Sequence, residues 1–372
     1  MSTVVKTQAK SQRIIFDFWL IATTVVLVAI GLLTIYDASV VAAARDFGDK
    51  LYYFKNQVIW AALGLGALAL FSFFNYQKLL KASPFILFLS IILLIAVLIP
   101  GVGSEIYGAR RWISVGNFTF QPSEFAKLSL ILYLSMIIAK FENLKFRISD
   151  IFIVFFLPTL VILGLIILQP DMGTALIVGS IALIIYFIGK APLWHFALAI
   201  PIFVLTAAIS IFTAPYRVER LKSFFDPAYD PQGASYHINQ ILAAITSGGL
   251  FGVGIGASRY KFAFIPEVQT DAIFAIFVEE LGFVGALFLI SLFLFLIVKA
   301  IAISKAAESA SGKILAAGIA SLIAVQSLFN IASNVALVPL TGIPLPFISH
   351  GGSSLVVTLA SIGILINIKR TQ

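Results

Sequence analysis

Residues 216–282 read YRVERLKSFFDPAYDPQGASYHINQILAAITSGGLFGVGIGASRYKFAFIPEVQTDAIFAIFVEELG, the longest polar interval in a chain otherwise made of apolar runs. The stretch carries Arg, Lys, Asp and Glu, proline breaks at Pro227 and Pro231, and a glycine-rich centre. It closes on Asp271, at the mouth of an apolar run that holds Glu279 and Glu280. Charges at a membrane boundary are costly to keep and mark function by default. The other segments read as a lipid-embedded frame holding this loop over a cleft.

Composition supports the frame. Hydrophobic residues make up 60% of the chain and charged residues 11%, against about 25% charged in a soluble domain, and the mean hydropathy is +1.04. Apolar runs fall at 18–40, 56–74, 84–100, 123–139, 151–168, 171–189, 192–213, 272–298, 314–338 and 353–368. Their lengths suit helices rather than barrel strands. The expected fold is all-α: a polytopic membrane protein of about ten transmembrane helices in one domain spanning 1–372. Residues 1–12 are polar and basic without a signal-type apolar core, so the first run reads as a retained span and 1–16 as a cytoplasmic segment. The absence of cysteine rules out disulfides and thiolate metal sites.

The connectors alternate in character. One set holds Lys6, Lys10 and Arg13, then Lys78 and Lys81, Lys140, Lys145 and Arg147, Lys190, Lys299, Lys305 and Lys313, and finally Lys369 and Arg370, almost unopposed by acids. The other mixes Asp46, Asp49, Glu105, Glu219, Asp226, Asp230 and Glu267 with bases. The positive-inside rule places the first set, and both termini, in the cytoplasm, and 214–270 outside as a large loop between the seventh and eighth spans. That rule and anionic lipid also account for the net charge of +8 without nucleic acid. No internal repeat, Walker sequence or TVGYG-type filter is present, so an inverted-repeat transporter, nucleotide drive and potassium conduction lack support.

Four outer clusters could carry chemistry. In GARRWISVGNFTFQPSEFAKL (108–128), Arg110 and Arg111 beside Trp112 could hold phosphate or merely anchor the interface. Pro122 suits a helix start, with Glu124 in the first turn and Lys127 on the same face, as an ion pair bridging helices or lining a cleft. Asp171 of QPDMGT reads chiefly as a helix-start acid. Asp271 of IPEVQTDAIFA could also cap a helix. Glu267 one turn earlier, and Glu279 and Glu280 about 12–14 Å deeper, make it a general-base candidate. In PLTGIPLPFISHGGSS (339–354), Pro339, Pro344 and Pro346 forbid a helix and Gly351-Gly352 permits unusual backbone. Such backbone at membrane depth lines a cavity or is buried in protein, and Ser349, His350, Ser353 and Ser354 supply donors. The adjacent Ser-His pair has no evident carboxylate partner, against a hydrolase triad.

These motifs, in order and nearly throughout the chain, resemble the SEDS family (shape, elongation, division, sporulation), and YRVERLKSFFDP and SRYKFAF look more like its division than its elongation branch. The resemblance implies a ten-span peptidoglycan glycosyltransferase of the cytoplasmic membrane that polymerises lipid II outside. It maps the essential acid to Asp271, the cavity-lining pair to Glu124 and Lys127, and the arginines to Arg110 and Arg111. Gln121, Glu267, Ser349, Gly351, Gly352 and Ser353 are then expected around the substrate. A divalent cation, Mg or Mn, is expected near Asp271 and Glu124, with no nucleotide. Expected partners are lipid II and the growing glycan strand, a single-span class B penicillin-binding transpeptidase, other division or elongation proteins and membrane lipid, with no nucleic acid. Ala272, Gln269 and His350 depart from the family's usual Phe, His and Tyr. Lipid II flipping is the alternative activity, and a scaffold without catalysis is a third.

Overall fold

The computed structural model describes residues 17–106, 108–116, 118–141, 152–233, 235–262 and 268–371. The chain runs through α1 (Phe18–Phe47), α2 (Tyr52–Phe73), α3 (Tyr76–Ala96), strands β1 (Gly103–Ile106), β2 (Ala109–Val115) and β3 (Phe118–Phe120), and α4 (Pro122–Phe141). It continues with a π-turn, Phe152–Phe156, then α5 (Leu157–Leu168), α6 (Met172–Ile188), α7 (Leu193–Phe212), α8 (Pro215–Phe225), α9 (Tyr236–Gly248), α10 (Ile273–Ala306), α11 (Ala310–Asn334) and α12 (Gly352–Arg370). Among the described residues eight helices are long and apolar enough to cross a membrane: α1 to α4, α7 and α10 to α12. Two shorter apolar helices, Ile153–Leu168 and Met172–Ile188, fall on the fifth and sixth apolar runs. The fold is mostly helical and multi-pass, as the hydropathy pattern leads one to expect.

Short polar residues start these helices where the sequence places them. Asp17, Asn75, Asp171 and Ser309 each accept a backbone N–H from the first turn of α1, α3, α6 and α11. In the bundle α4, α11 and α12 are the central helices, mostly buried, while α7 is almost wholly exposed along its flanks. Asp17 also pairs with Lys369 Nζ at 2.6 Å and lies 3.8 Å from Lys299 Nζ. The start of α1, the far part of α10 and the end of α12 therefore meet at one end of the bundle.

At the opposite end, β1, β2 and β3 form a three-stranded antiparallel sheet in the order β1-β2-β3. An all-helical reading misses it. Gly108 (φ 73°) and Gly116 (φ 60°) stand at its reversals, where left-handed backbone excludes most side chains. The 214–270 interval is likewise partly helical, through α8 and α9, rather than a plain loop.

The long α10 is broken at Gly282 (φ 69°, ψ −168°). The backbone groups freed by the break find partners in the glycine-rich loop. Val253 N and Gly254 N donate to the carbonyls of Glu279 and Glu280 at 3.0 Å each, and Phe283 N and Val284 N donate to those of Gly249 and Leu250 at 2.9 and 3.1 Å. A kink at membrane depth is tolerated when its polar groups are satisfied in this way.

Candidate functional site

The site lies at the sheet end, where α4, α6, α10 and α12 all begin. Glu124 and Lys127 share one face of α4, as their spacing requires, and Lys127 Nζ donates to Glu124 Oε1 at 2.7 Å. Both residues are only 2% exposed, so this is a desolvated ion pair, not a surface bridge. Lys127 Nζ also donates to Gln326 Oε1 at 2.8 Å, and Gln326 Nε2 donates to the Pro344 carbonyl at 3.1 Å and reaches Ser354 Oγ at 3.4 Å.

Asp271 does not cap α10. The helix starts at Ile273 behind Ala272, and no side chain satisfies its first amides. The Asp271 carbonyl instead accepts from Asn330 Nδ2 at 3.0 Å and Asn334 Nδ2 at 2.8 Å, and Asn330 Nδ2 also donates to the Ile343 carbonyl at 2.7 Å. Thus the main chain is pinned and the carboxylate is left for other work. The carboxylate is approached by Thr270 Oγ1 at 3.5 Å and faces Gly342, where a Cβ would stand 4.0 Å from Oδ2.

Gln326, Asn330 and Asn334 recur every fourth residue on α11, so they form one stripe. The stripe runs from Lys127 to the main chain of Asp271, and one helical turn, about 6 Å of rise, separates the two attachment points. The Oδ1 atoms of both asparagines are buried without a protein partner. Sequence reasoning missed this stripe, although three amides at i, i+4 and i+8 in an apolar helix are a readable signal. It also missed His237, on α9, whose buried Nε2 has no protein partner. Burial holds the His237 imidazole below its ordinary pKa, the Asp271 carboxylate pulls it back up and Arg220 pushes it down.

The remaining residues build the surround. Asp171 is a helix-start acid, accepting from Thr174 N at 3.1 Å and Thr174 Oγ1 at 2.8 Å, and Gln121 Nε2 approaches it at 3.3 Å. Gln121 N donates to Ser353 Oγ at 3.0 Å, tying α4 to α12. Ser349 Oγ accepts from Leu345 N at 2.8 Å and Gly351 N donates to Gln57 Oε1 at 3.3 Å, so both shape the proline-rich loop. A Cβ on Gly352 would meet the Trp60 ring at 2.2 Å, which explains the glycine. His350 N donates to the Gln269 carbonyl at 2.8 Å and its ring stands edge-on to Tyr53. Burial pushes the His350 imidazole down to about 4.

The arginines are adjacent on β2 and so face opposite ways. Arg110 is exposed and pairs with Glu105 Oε2 at 3.0 Å. Arg111 donates to the carbonyls of Gln169 (3.0 Å) and Pro170, clamping the turn before Asp171. The structure does not set them as a joint fork. Glu279 and Glu280 belong to a separate cluster: Glu279 binds Ser258 Oγ (2.5 Å) and Arg259 N (2.8 Å), and Lys261 Nζ joins Glu280 (3.2 Å) to Asp37 (2.8 Å). Glu267 lies outside the described residues.

Among the described residues no three metal-ligating side chains converge, and Glu124 is taken up by Lys127. Asp271 alone could hold a hard cation, which would draw its other ligands from phosphate and water, as Mg²⁺ commonly does.

Beside the site, α5, α6 and α7 enclose an apolar cavity of about 380 Å³. It extends along α6 from Met172, the residue after Asp171, to Tyr186, and along α7 from Ser210 to His195.

A multi-pass helical bundle with a buried ion pair and a pinned, uncapped carboxylate at one end defines a membrane protein with an interfacial polar site. Comparison with known proteins makes the class specific. The family described as "Cell cycle protein" (FtsW, RodA, SpoVE) matches residues 18–372, and the chain belongs to it. It is 40% identical to stage V sporulation protein E of Bacillus subtilis, over 95% of this chain and 97% of that one. It is 38% identical to the probable peptidoglycan glycosyltransferase FtsW of Trichlorobacter lovleyi, over 95% and 93% of the two chains. Among solved structures, a chain reported under "Structural coordination of polymerization and crosslinking by a peptidoglycan synthase complex" matches with a TM-score of 0.78 and 29% identity, covering 96% of this chain and 98% of that one. The rod shape determining protein RodA of Thermus thermophilus matches with a TM-score of 0.71 and 28% identity, over 95% and 97%.

Proposed function

We propose that this chain is a peptidoglycan glycosyltransferase that joins lipid II units into glycan strands on the outer face of the cytoplasmic membrane, with Asp271 as general base. The observation that carries the reading is the arrangement of Asp271: its carbonyl is held by two asparagine amides while its carboxylate is spent on no helix cap. In the reaction, Asp271 accepts the proton of the acceptor sugar hydroxyl. That oxygen attacks the anomeric carbon of the donor, the bond to the diphosphate breaks, and the electron pair leaves with the lipid diphosphate. Direct displacement inverts the anomeric centre.

Developing charge on the diphosphate needs cationic relief. Arg110, exposed on β2, can exchange its Glu105 partner for phosphate. Arg111 holds the turn at Gln169–Pro170, and the Glu124–Lys127 pair holds the floor from which α11 presents Asp271. A divalent cation on Asp271 would add charge relief at the diphosphate. The apolar cavity beside Asp171 would take the first units of the isoprenoid tail, with the rest left to lipid. Both termini then face the cytoplasm, ten segments cross, and 214–270 lies outside. A transpeptidase is the fitting partner, since one solved relative comes from a complex that couples polymerization to crosslinking.

Lipid II flipping has one observation in its favour, the length of the cavity along α6 and α7. The cavity lining is almost entirely apolar, however, and offers a sugar-diphosphate headgroup no polar path. The test is incubation of purified protein with labelled lipid II, alone and with its transpeptidase. Glycan polymer from the wild type and none from Asp271→Ala of equal thermal stability is expected. Transbilayer movement without polymer, or polymer from the variant, overturns the reading.

A further inference from the structure

The loop between α9 and Ser258 reads SGGLFGVGIGAS, a glycine-rich pattern that invites a phosphate-cradling role. Most of the amides at its two ends and at its docking point are already used. Gly252 N donates to the Gly248 carbonyl at 2.7 Å, Val253 N and Gly254 N to Glu279 and Glu280, and Ala257 N to Gly254 at 3.1 Å. Ser258 N and Arg259 N point to the Glu280 and Glu279 carboxylates at 3.3 and 2.8 Å. What the loop presents outward is apolar. Phe251 and Ile255 are each 81% exposed, with Leu250 and Val253 beside them, and no charged residue lies between Gly248 and Ser258.

Depth along α10 says what faces these side chains. Lys299 lies 3.8 Å from Asp17 at the ionic end of the bundle, which sets it at headgroup level. Gly282, where the loop docks, is about 26 Å along the helix from Lys299 at 1.5 Å per residue, against a hydrocarbon core about 30 Å thick. The loop therefore sits at, or just inside, the opposite hydrocarbon boundary. Its apolar tip continues the exposed face of α10 formed by Phe283, Val284 and Leu287. Irregular backbone is excluded from lipid because of its unmet polar groups, and here the α10 break meets the carbonyls of Gly249 and Leu250 and the amides of Val253 and Gly254. The cluster of Lys261, Asp37 and Glu280 roots the loop from within, and Arg259, exposed just beyond the apolar tip, is placed to meet lipid phosphate.

We propose that residues 249–256 are a membrane-inserted loop whose Leu250, Phe251, Val253 and Ile255 side chains lie among the acyl chains of the leaflet nearest the site. The inference holds whichever reaction the site performs.

The chain contains no cysteine, so Phe251→Cys and Ile255→Cys each create a single thiol for a spin label without touching the catalytic machinery. Gln232→Cys, on the exposed polar segment before α9, serves as the water reference, and Leu294→Cys, on the exposed face of α10, as the lipid reference. In phospholipid vesicles the labels at 251 and 255 should collide readily with oxygen and lose collisions with a water-soluble nickel chelate, as at 294. Collisions like those at 232 would overturn the proposal. So would a label immobilised and shielded from both reagents, which would mean that a second copy or a partner helix covers the tip.

Discussion

The side-chain amide of Asn334 donates to the main-chain carbonyl of Asp271 across 2.8 Å, joining the end of α11 to the turn that leads into α10. Asn330, one turn earlier, donates to the same carbonyl. Removing both donors orphans a partly buried carbonyl, at about 1–3 kcal/mol, and frees the backbone that aims the carboxylate. The Asn330→Ala/Asn334→Ala variant is expected to lose more than tenfold in initial polymerisation rate, since small displacements at a reacting group cost on the order of 100-fold. Comparing rate with thermal midpoint checks this: a lowered midpoint with an unchanged rate would remove the amides from the site's geometry.

Lys127 and Glu124 form an ion pair with almost no water around it. Lys127→Met leaves a buried carboxylate with no counter-charge and should destabilise by about 3–5 kcal/mol. The double variant Glu124→Gln/Lys127→Met removes both charges and should recover most of that loss. If the pair also supports catalysis, the double variant regains its thermal midpoint but not its rate. Full recovery of both would make the pair purely structural.

His350 is buried and its imidazole is held neutral, down to about 4. The unfolded chain takes up its proton near 6.5, so between those values the unfolded state binds more protons than the folded one. Stability contributed by this residue is complete above about pH 6.5 and is lost as pH falls towards 4, by up to about 3 kcal/mol. His350→Phe should flatten the acid side of the thermal midpoint profile between pH 7 and 4. An unchanged slope would show that other groups govern it.

Gly282 breaks α10 with φ 69°, and a Cβ there would stand 2.3 Å from Gly252 N and 2.5 Å from the Leu250 carbonyl. Both neighbours are backbone and cannot turn aside. Gly282→Ala therefore combines backbone strain of about 1–3 kcal/mol, in a region essentially reserved for glycine, with loss of the loop's docking bonds. It should lower the thermal midpoint more than Gly164→Ala on α5, whose Cβ would meet nothing within 4 Å. Equal midpoints for the two variants would contradict the docking account.

Much was legible from the chain alone. Run lengths determined a helical multi-pass protein, because only intrachain-bonded helices of that length solve the backbone's hydrogen-bonding problem in lipid. The i, i+3 spacing of Glu124 and Lys127 determined that they share a face, and Asp171 reads correctly as a helix-start acid from its position after a proline. Tertiary structure decided what each charge is for. Asp271 also precedes a helix, yet side chains from α11 hold its backbone and spare its carboxylate. Arg110 and Arg111 look paired in sequence and are parted by a strand that local pattern did not announce. Glu279 and Glu280, on the same helix as Asp271, are bound by Lys261, Ser258 and a loop folded against a kink. Local spacing sets which residues share a face; which partner that face meets depends on contacts between segments tens to hundreds of residues apart, and those exist only once the bundle is packed.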